Sequence, residues 1–304
     1  LEEKCGRKVE DLHKQYVDEL TWPSPDGKGT MRRIPDILDC WFESGSMPYA
    51  EEHYPFENKE KFQNIFPADF INEGLDQTRG WFYSLTVLAA ALFGKPAFEH
   101  CIVSGLVLAA DGKKMSKSAR NYTDPMDIIN KYGADALRFA LVNSTVVKAD
   151  DLKFSDEIVK DVLKSLMIPL WNAYSFFVTY ANIDGYTPSA TEYSKLSNQL
   201  DRWIISALNR FVKEVTEGFE SYDIQAVTSR LVAFIDDLNN WYIRRSRRRF
   251  WKSENDNDKK EAYDTLYRVL MTFVKTAAPI VPFITEEIYL NLRTSDMPES
   301  VHLC

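Results

Sequence analysis

The sequence is poor in cysteine, histidine and net positive charge, and it contains no long apolar run. Its four cysteines, Cys5, Cys40, Cys101 and Cys304, are scattered without a CxxC pair, so neither a disulfide framework nor a cysteine zinc site is readable. That usage fits a reducing, cytoplasmic setting. The four histidines, His13, His53, His100 and His302, are isolated from one another. Lysine and arginine total 37 against 45 aspartate and glutamate in 304 residues, a net charge of −8. Binding a polyanion by bulk charge is therefore excluded, and any such contact must be local. The longest apolar stretch, Trp81 to Phe93, carries Tyr83, Ser84 and Thr86 and is shorter than the about 20 residues a bilayer span needs. No membrane partner is expected. The absence of GxGxxG after any strand-like run argues against a nicotinamide-dependent oxidoreductase.

What is present is an ordinary folding composition, 45% hydrophobic and 27% charged, enough for two domains with cores. Residues 1–150 mix short apolar runs with helical patterns. Asp69 to Asn72 and His100 to Leu108 read as buried parallel strands, with a helix over Gly80 to Leu92 ended by Gly94, Lys95 and Pro96. Strand, helix, strand in that order predicts a βαβ unit of a doubly wound sheet. From residue 151 onward the apolar positions have helical spacing: Ile158, Val162, Leu166 and Leu170; Trp203, Ala207 and Phe211; Leu231, Phe234, Ile235, Leu238 and Tyr242; Leu266, Val269, Leu270 and Phe273. Thr285, Glu286 and Glu287 read as the cap and first turn of a further helix, and Glu254 to Lys260 as an exposed loop. The fold class is α/β followed by all-α, with a boundary between 150 and 151.

The sharpest feature is Asp111 to Ser118, Asp-Gly-Lys-Lys-Met-Ser-Lys-Ser, directly after an apolar strand. Ammonium groups at Lys114 and Lys117 beside the Ser116 and Ser118 hydroxyls suit a triphosphate and a departing pyrophosphate. Short lysine-serine runs are more often plain solvated turns. The run Lys114-Met115-Ser116-Lys117-Ser118 after a strand makes that reading the weaker one.

These residues resemble the KMSKS signature of class I aminoacyl-tRNA synthetases. Asp39 to Ser46 (DCWFESGS) and Glu73 to Phe82 (EGLDQTRGWF) resemble the two blocks before KMSKS in the isoleucyl-tRNA synthetase family, in its eukaryotic-type branch. Asn240 to Arg244 (NWYIR) and the Ala278-Pro279 to Pro282-Phe283 segment resemble words of its helical anticodon-binding domain, so the resemblance covers essentially the whole chain. It implies the C-terminal half of a doubly wound, nucleotide-binding (Rossmann-like) fold plus a helical-bundle anticodon-binding domain. The implied substrates are isoleucine, ATP with Mg2+ and tRNA(Ile), with Lys114 and Lys117 catalytic. ATP would be met by Gly74, Asp76, Gln77, Lys114, Ser116, Lys117 and Ser118. Gly74 would let adenosine approach, while Asp76 and Gln77 would hold the ribose diol. Without the resemblance, Asp76 reads as a helix-start residue.

Trp41 and Trp81 match the two tryptophans that wall the isoleucine side chain in the family, although core packing is the ordinary fate of tryptophan. Glu43 and Asp39 resemble an acid/base pair, but activation needs no protein base, because the substrate carboxylate is already ionised, so Glu43 reads as positioning or structural. Two departures stand out. Ser104 occupies a position where many relatives carry histidine, and no His-x-Gly-His element is present. The chain, which opens without methionine and ends at Val-His-Leu-Cys, is expected to be an internal fragment, inactive by itself. Valine is the alternative substrate, since one methylene gives only about 1 to 3 kcal/mol of discrimination. A helical RNA-binding module with an inactive α/β domain is the alternative from another class.

Arg244, Arg245, Arg247, Arg248 and Arg249 crowd into six residues of an acidic chain. At three- and four-residue spacing Trp241, Arg244, Arg245, Arg248 and Lys252 are expected on one helix face, suited to a phosphate backbone. The competing reading pairs these arginines with Asp236, Asp237 and the acids of 254–258.

Overall fold

The computed structural model describes residues 1–37, 39–116, 121–188, 196–251 and 256–304. It divides into two compact units, Leu1–Ile71 with Asp76–His100, and Asn72–Leu75 with Cys101–Cys304. The first part of the chain forms α1 (Glu2–Cys5), α2 (Lys14–Val17), β1 (Thr21–Pro23), β2 (Thr30–Arg32), α3 (Cys40–Gly45), α4 (Met47–Ala50) and α5 (Lys59–Ile65). Next come β3 (Ala68–Gly74), a 3₁₀ turn (Leu75–Arg79), α6 (Trp81–Phe93) and β4 (Phe98–Ser104). β1 and β2 are an antiparallel hairpin in which Trp22 faces Met31. Tyr54, Phe62, Phe66 and Phe93 stack into an aromatic cluster, with ring centroids 4.2 Å apart for Tyr54–Phe62 and 4.8 Å for Phe62–Phe66.

The expected strand, helix, strand order is present as β3, α6 and β4, with β3 paired to β4. Two details differ. Of β3 only Ile71 is buried, and no residue of β4 is. Apolar, β-branched composition is enough to form a strand, but burial comes from the layers packed on it, which composition does not encode. The run His100 to Leu108 is also not one strand: it breaks at Gly105 and resumes as β5 (Val107–Leu108). There the Gly105 N–H donates to Val146 O at 2.8 Å, and the Leu106 N–H donates to the Asp151 carboxylate at 3.0 Å. A Cβ on Gly105 would lie 2.0 Å from the Asp150 carbonyl oxygen, so only glycine permits this backbone-to-backbone contact.

β5 pairs in parallel with β6 (Leu152–Lys153) after α7 (Pro125–Tyr132) and α8 (Ala134–Val142). The remainder is helical: α9 (Asp156–Val162), a π-helical turn (Leu163–Met167), α10 (Ile168–Asp184), α11 (Gln199–Glu220), α12 (Ile224–Asp236), a second π-helical turn (Asp237–Ile243), α13 (Arg244–Trp251), α14 (Asp256–Ala277) and α15 (Pro282–Leu292). The apolar positions read at helical spacing converge here: Leu166, Leu170, Phe211, Leu231, Phe234, Leu266 and Phe273 are all buried in one core. Phe211 stacks on Phe234 and Phe273 at 4.7 and 5.5 Å.

Two helix starts depart from expectation. α14 begins at Asp256, so residues 256–260 are helix rather than loop. Asp258 is engaged by Arg249 and Asn198, and Lys259 by Asp184. α15 begins at Pro282, not near Thr285. Thr285 is buried with its hydroxyl on Val281 O, and the carboxylate that meets the helix start is Asp135 of α8, accepting from the Phe283 and Ile284 N–H groups at 3.3 and 2.7 Å. Burial raises the Asp135 pKa, against the lowering effect of those two hydrogen bonds.

Candidate functional site

The aromatic residues singled out at Trp41 and Trp81 lie in one local assembly. Asp39 caps α3 by accepting from the Trp41 N–H at 3.0 Å. The Trp81 indole N–H donates to Ser44 O at 3.0 Å, tying the first turn of α6 to the end of α3. A Cβ on Gly80 would come within 3.0 Å of the Trp41 ring and 2.6 Å of the Gln77 side-chain oxygen. The Trp41 indole therefore lies against bare backbone. Trp41 remains 42% exposed. Glu43 is exposed.

In the second block the helix start is held by Gln77 rather than Asp76. The Gln77 side-chain oxygen accepts from the Trp81 N–H at 2.9 Å, while Asp76 is exposed and, among the described residues, its side chain receives only a long bond of 3.5 Å from the Gln77 amide. Asp76 thus keeps its acceptor capacity for something else. The Gly74 N–H donates to the Glu73 carboxylate at 3.0 Å. Ser104 receives a bond from Asn72 at 3.3 Å.

The lysine-serine loop leaves β5 through a tight turn at Gly112, φ 82°. The turn closes by Ala109 N–H to Lys113 O at 2.9 Å, and Asp111 accepts from the Lys113 N–H at 3.0 Å. That backbone bond, and then the Lys113 charge, hold the Asp111 carboxyl below its usual range. Lys114 and Lys113 are exposed, but Lys113 reaches back to Asp111 at 3.5 Å whereas Lys114 has no ion partner among the described residues. Sequence reading missed Asn121. Its amide donates to Lys114 O at 3.1 Å and accepts from the Ser116 N–H at 3.0 Å, clamping both ends of the Lys114–Ser116 segment. An amide three residues past the motif was the only available signal. Lys117 and Ser118 lie outside the described residues.

The arginine run is divided by the fold. Arg249 is a structural residue: its guanidinium forms a two-pronged bond to the fully buried Asp201, both arms 2.7 Å, and also meets Asp258 at 3.0 Å. Burial works against its charge, but the hydrogen bonds it donates to Asp201 and Asp258 outweigh that and keep it firmly protonated. Tyr242 donates to the same Asp201 at 2.7 Å, its phenol held well above the ordinary value by burial and then by the Asp201 charge. The salt-bridge reading therefore applies to Arg249. Arg244, Arg245, Arg247 and Arg248 are exposed and form no ion pair among the described residues. Arg245 lies over the exposed Trp241 ring, 4.3 Å from its centroid. Arg244 instead lines a groove with Arg247. Trp241, in the second π-helical turn, and Arg245, in α13, thus meet at the four-residue spacing of one helix face. Lys252 lies outside the described residues.

Among the described residues no three His, Cys, Asp or Glu side chains converge as metal ligands, and no helix is long and apolar enough to cross a membrane.

The α/β segment with its lysine loop and the helical segment behind it have direct counterparts. Residues 2–154 match the family described as tRNA synthetases class I (I, L, M and V), and residues 201–304 match the anticodon-binding domain of tRNA ligases. The chain belongs to the class I tRNA synthetases. Its whole length aligns with isoleucine–tRNA ligases, 61% identical to that of Treponema denticola and 54% to that of Protochlamydia amoebophila, in each case spanning 29% of the relative. The fold matches an Agrobacterium radiobacter K84 LeuRS solved with tRNA and LeuAMS, at TM-score 0.72 and 19% identity over 93% of this chain and 35% of that one. It also matches a Mycobacterium tuberculosis methionyl-tRNA synthetase solved with methionyl-adenylate, at TM-score 0.68 and 20% identity over 89% and 52%.

Proposed function

We propose that this chain is the part of an isoleucine–tRNA ligase that carries the second half of the catalytic domain, residues 1–150, and the anticodon-binding bundle, residues 151–304. The observation that supports this reading best is the exposed Lys114 on a loop clamped by Asn121, within a chain 54% to 61% identical to isoleucine–tRNA ligases. In the intact enzyme an isoleucine carboxylate oxygen attacks the α-phosphorus of ATP, and pyrophosphate leaves as its magnesium complex. A terminal adenosine hydroxyl of tRNA(Ile) then attacks the adenylate carbonyl, and AMP leaves.

Lys114 and Lys117, with Ser116 and Ser118, meet the charge developing on the departing phosphates. Gly74, Asp76 and Gln77 receive the adenosine. Trp41 and Trp81 wall the amino-acid side chain, and Trp241, Arg244, Arg245 and Arg248 meet the tRNA backbone. Both steps are assigned to the cytoplasm. The deciding experiment is ATP–pyrophosphate exchange by the intact enzyme with isoleucine and with valine. Exchange that prefers valine would transfer the reading to a valine enzyme, and none with either would remove it.

Trp81→Ala should weaken isoleucine binding by roughly tenfold or more, the scale of the about 1 to 3 kcal/mol carried by a lost apolar contact, and relax rejection of other aliphatic amino acids. The check is the KM for isoleucine and the exchange rates with valine and leucine. A fall in Tm with unchanged discrimination would make Trp81 a packing residue.

The arginines make a separate prediction. An Arg244→Gln, Arg245→Gln, Arg248→Gln triple variant should flatten the fall of log affinity for tRNA with log salt, because each lost phosphate contact releases fewer counterions. Cognate and non-cognate tRNA should weaken together, since phosphate contacts do not read bases. An unchanged slope in a variant of normal circular dichroism would take these residues off the interface.

A further inference from the structure

The lysine-serine loop is bordered by a lysine from a later part of the chain. Leu108 of β5 is paired on one side with Lys153 of β6, in parallel, and on the other with Lys114, in an isolated antiparallel bridge. Residues directly opposite one another in neighbouring strands carry their side chains on the same face. Lys153 and Lys114 therefore rise from one face, on either side of Leu108, two strand spacings or about 10 Å apart at the backbone. Two lysine stems are long enough to bring both ammonium groups onto one small anion. Backbone bonds fix this register: the Leu152 and Phe154 N–H groups donate to Leu106 O and Leu108 O at 2.8 and 2.9 Å, and the Ala109 N–H donates to Lys113 O at 2.9 Å.

A second observation concerns the turn of the loop. A Cβ on Gly112 would lie 3.1 Å from Lys153 Cε and 3.6 Å from its Nζ, so the Lys153 stem lies across the bare backbone of the turn. Its charge is not spent there. Lys153 is exposed and forms no ion pair or hydrogen bond among the described residues. Two acids close by in sequence are otherwise engaged: Asp111 takes the N–H and the ammonium of Lys113, and Asp151 accepts from the Leu106 N–H. Two ammonium groups without counter-ions thus share one face of a chain whose net charge is −8. Like charges held this close repel unless an anion lies between them.

We infer that Lys153 is a further phosphate-binding residue and that, together with Lys114, it holds the pyrophosphate end of ATP. This role rests on the ligase reading above and deepens it. In that reaction the bond from the α-phosphorus to the bridging oxygen breaks, and the oxygen keeps the electron pair. Lys153 neither gives nor takes a proton; it offsets the negative charge of the departing group. An ammonium suits the task, being a compact charge with three donors that can turn to phosphate oxygens. A backbone phosphate of RNA would offer the same chemistry, but with a single charge per unit, whereas two convergent cations suit the denser charge of a diphosphate.

The test is isoleucine-dependent ATP–pyrophosphate exchange by the intact enzyme, with pyrophosphate varied and no tRNA present. Lys153→Met keeps an unbranched stem over Gly112 but removes the charge. It should raise the KM for pyrophosphate roughly tenfold, the low end for a hydrogen bond to a charged group, and leave the KM for isoleucine unchanged. Lys153→Arg returns the charge and should recover most of the loss, which a packing role would not produce. A wild-type pyrophosphate KM in Lys153→Met would overturn the proposal, and so would a Lys153→Arg variant as impaired as Lys153→Met. Unchanged exchange in Lys153→Met with a flatter fall of log tRNA affinity against log salt would assign the ammonium to RNA instead. Wild-type enzyme without isoleucine-dependent exchange would remove the underlying ligase reading, which every other outcome leaves standing.

Discussion

Arg249→Ala should destabilise the 304-residue chain by about 3 to 5 kcal/mol, the cost of leaving a buried charge without its partner, while Arg248→Ala, one residue earlier, changes stability by less than about 0.5 kcal/mol. Asp201 is fully buried and takes both arms of Arg249 together with the Tyr242 hydroxyl. Removing the guanidinium strands the carboxylate among apolar side chains and also releases Asp258 at the start of α14. Thermal and urea unfolding check this, with a fall in Tm on the order of 10 °C at the usual 2 to 4 °C per kcal/mol for a chain this large. Arg249→Lys should recover only part of the loss, because an ammonium cannot reproduce the two-pronged bond. A loss for Arg249→Ala within about 1 kcal/mol of the Arg248→Ala value would show the triad to be a minor contributor.

In the intact enzyme Lys117→Ala should slow adenylate formation by roughly 10²- to 10³-fold, about 3 to 4 kcal/mol of transition-state stabilisation, with little change in isoleucine affinity. The expectation rests on when the charge appears. A cation directed at the leaving phosphates acts mostly as the bond to the α-phosphorus breaks, so the loss falls on the rate rather than on ground-state binding. Single-turnover adenylation, with ATP and isoleucine affinities measured separately, provides the split. An equal loss in ATP affinity and in rate would make Lys117 a binding residue, and no loss would return the loop to a solvated turn. Asn121→Ala offers a companion measurement: it leaves both lysines in place but removes the clamp on Lys114 O and the Ser116 N–H. Its rate should fall by a smaller factor than that of Lys117→Ala.

Local chemistry was legible from the residues alone. The lysine-serine loop announces itself as a motif because its chemistry needs only neighbours in sequence, a strand before it and a glycine at its turn. The helices from α9 onward were legible for a similar reason: an apolar residue every three or four positions forces one face inward, and those positions do form the core. Gly94 likewise marks a helix end by local backbone rules, as observed at α6.

Tertiary structure decided whatever depends on a distant partner. Arg249 is indistinguishable from Arg248 in sequence, and only the fold brings Asp201, 48 residues away, against one and not the other. The start of α15 was misplaced because the carboxylate that meets it lies on α8, 148 residues earlier. The run His100 to Leu108 looked like one strand because nothing in its composition reveals the Asp150 backbone pressed against Gly105. The division of the arginines was likewise tertiary: Asp201 and Asp258 claim Arg249, while Arg245 lies over Trp241 and Arg244 lines a groove.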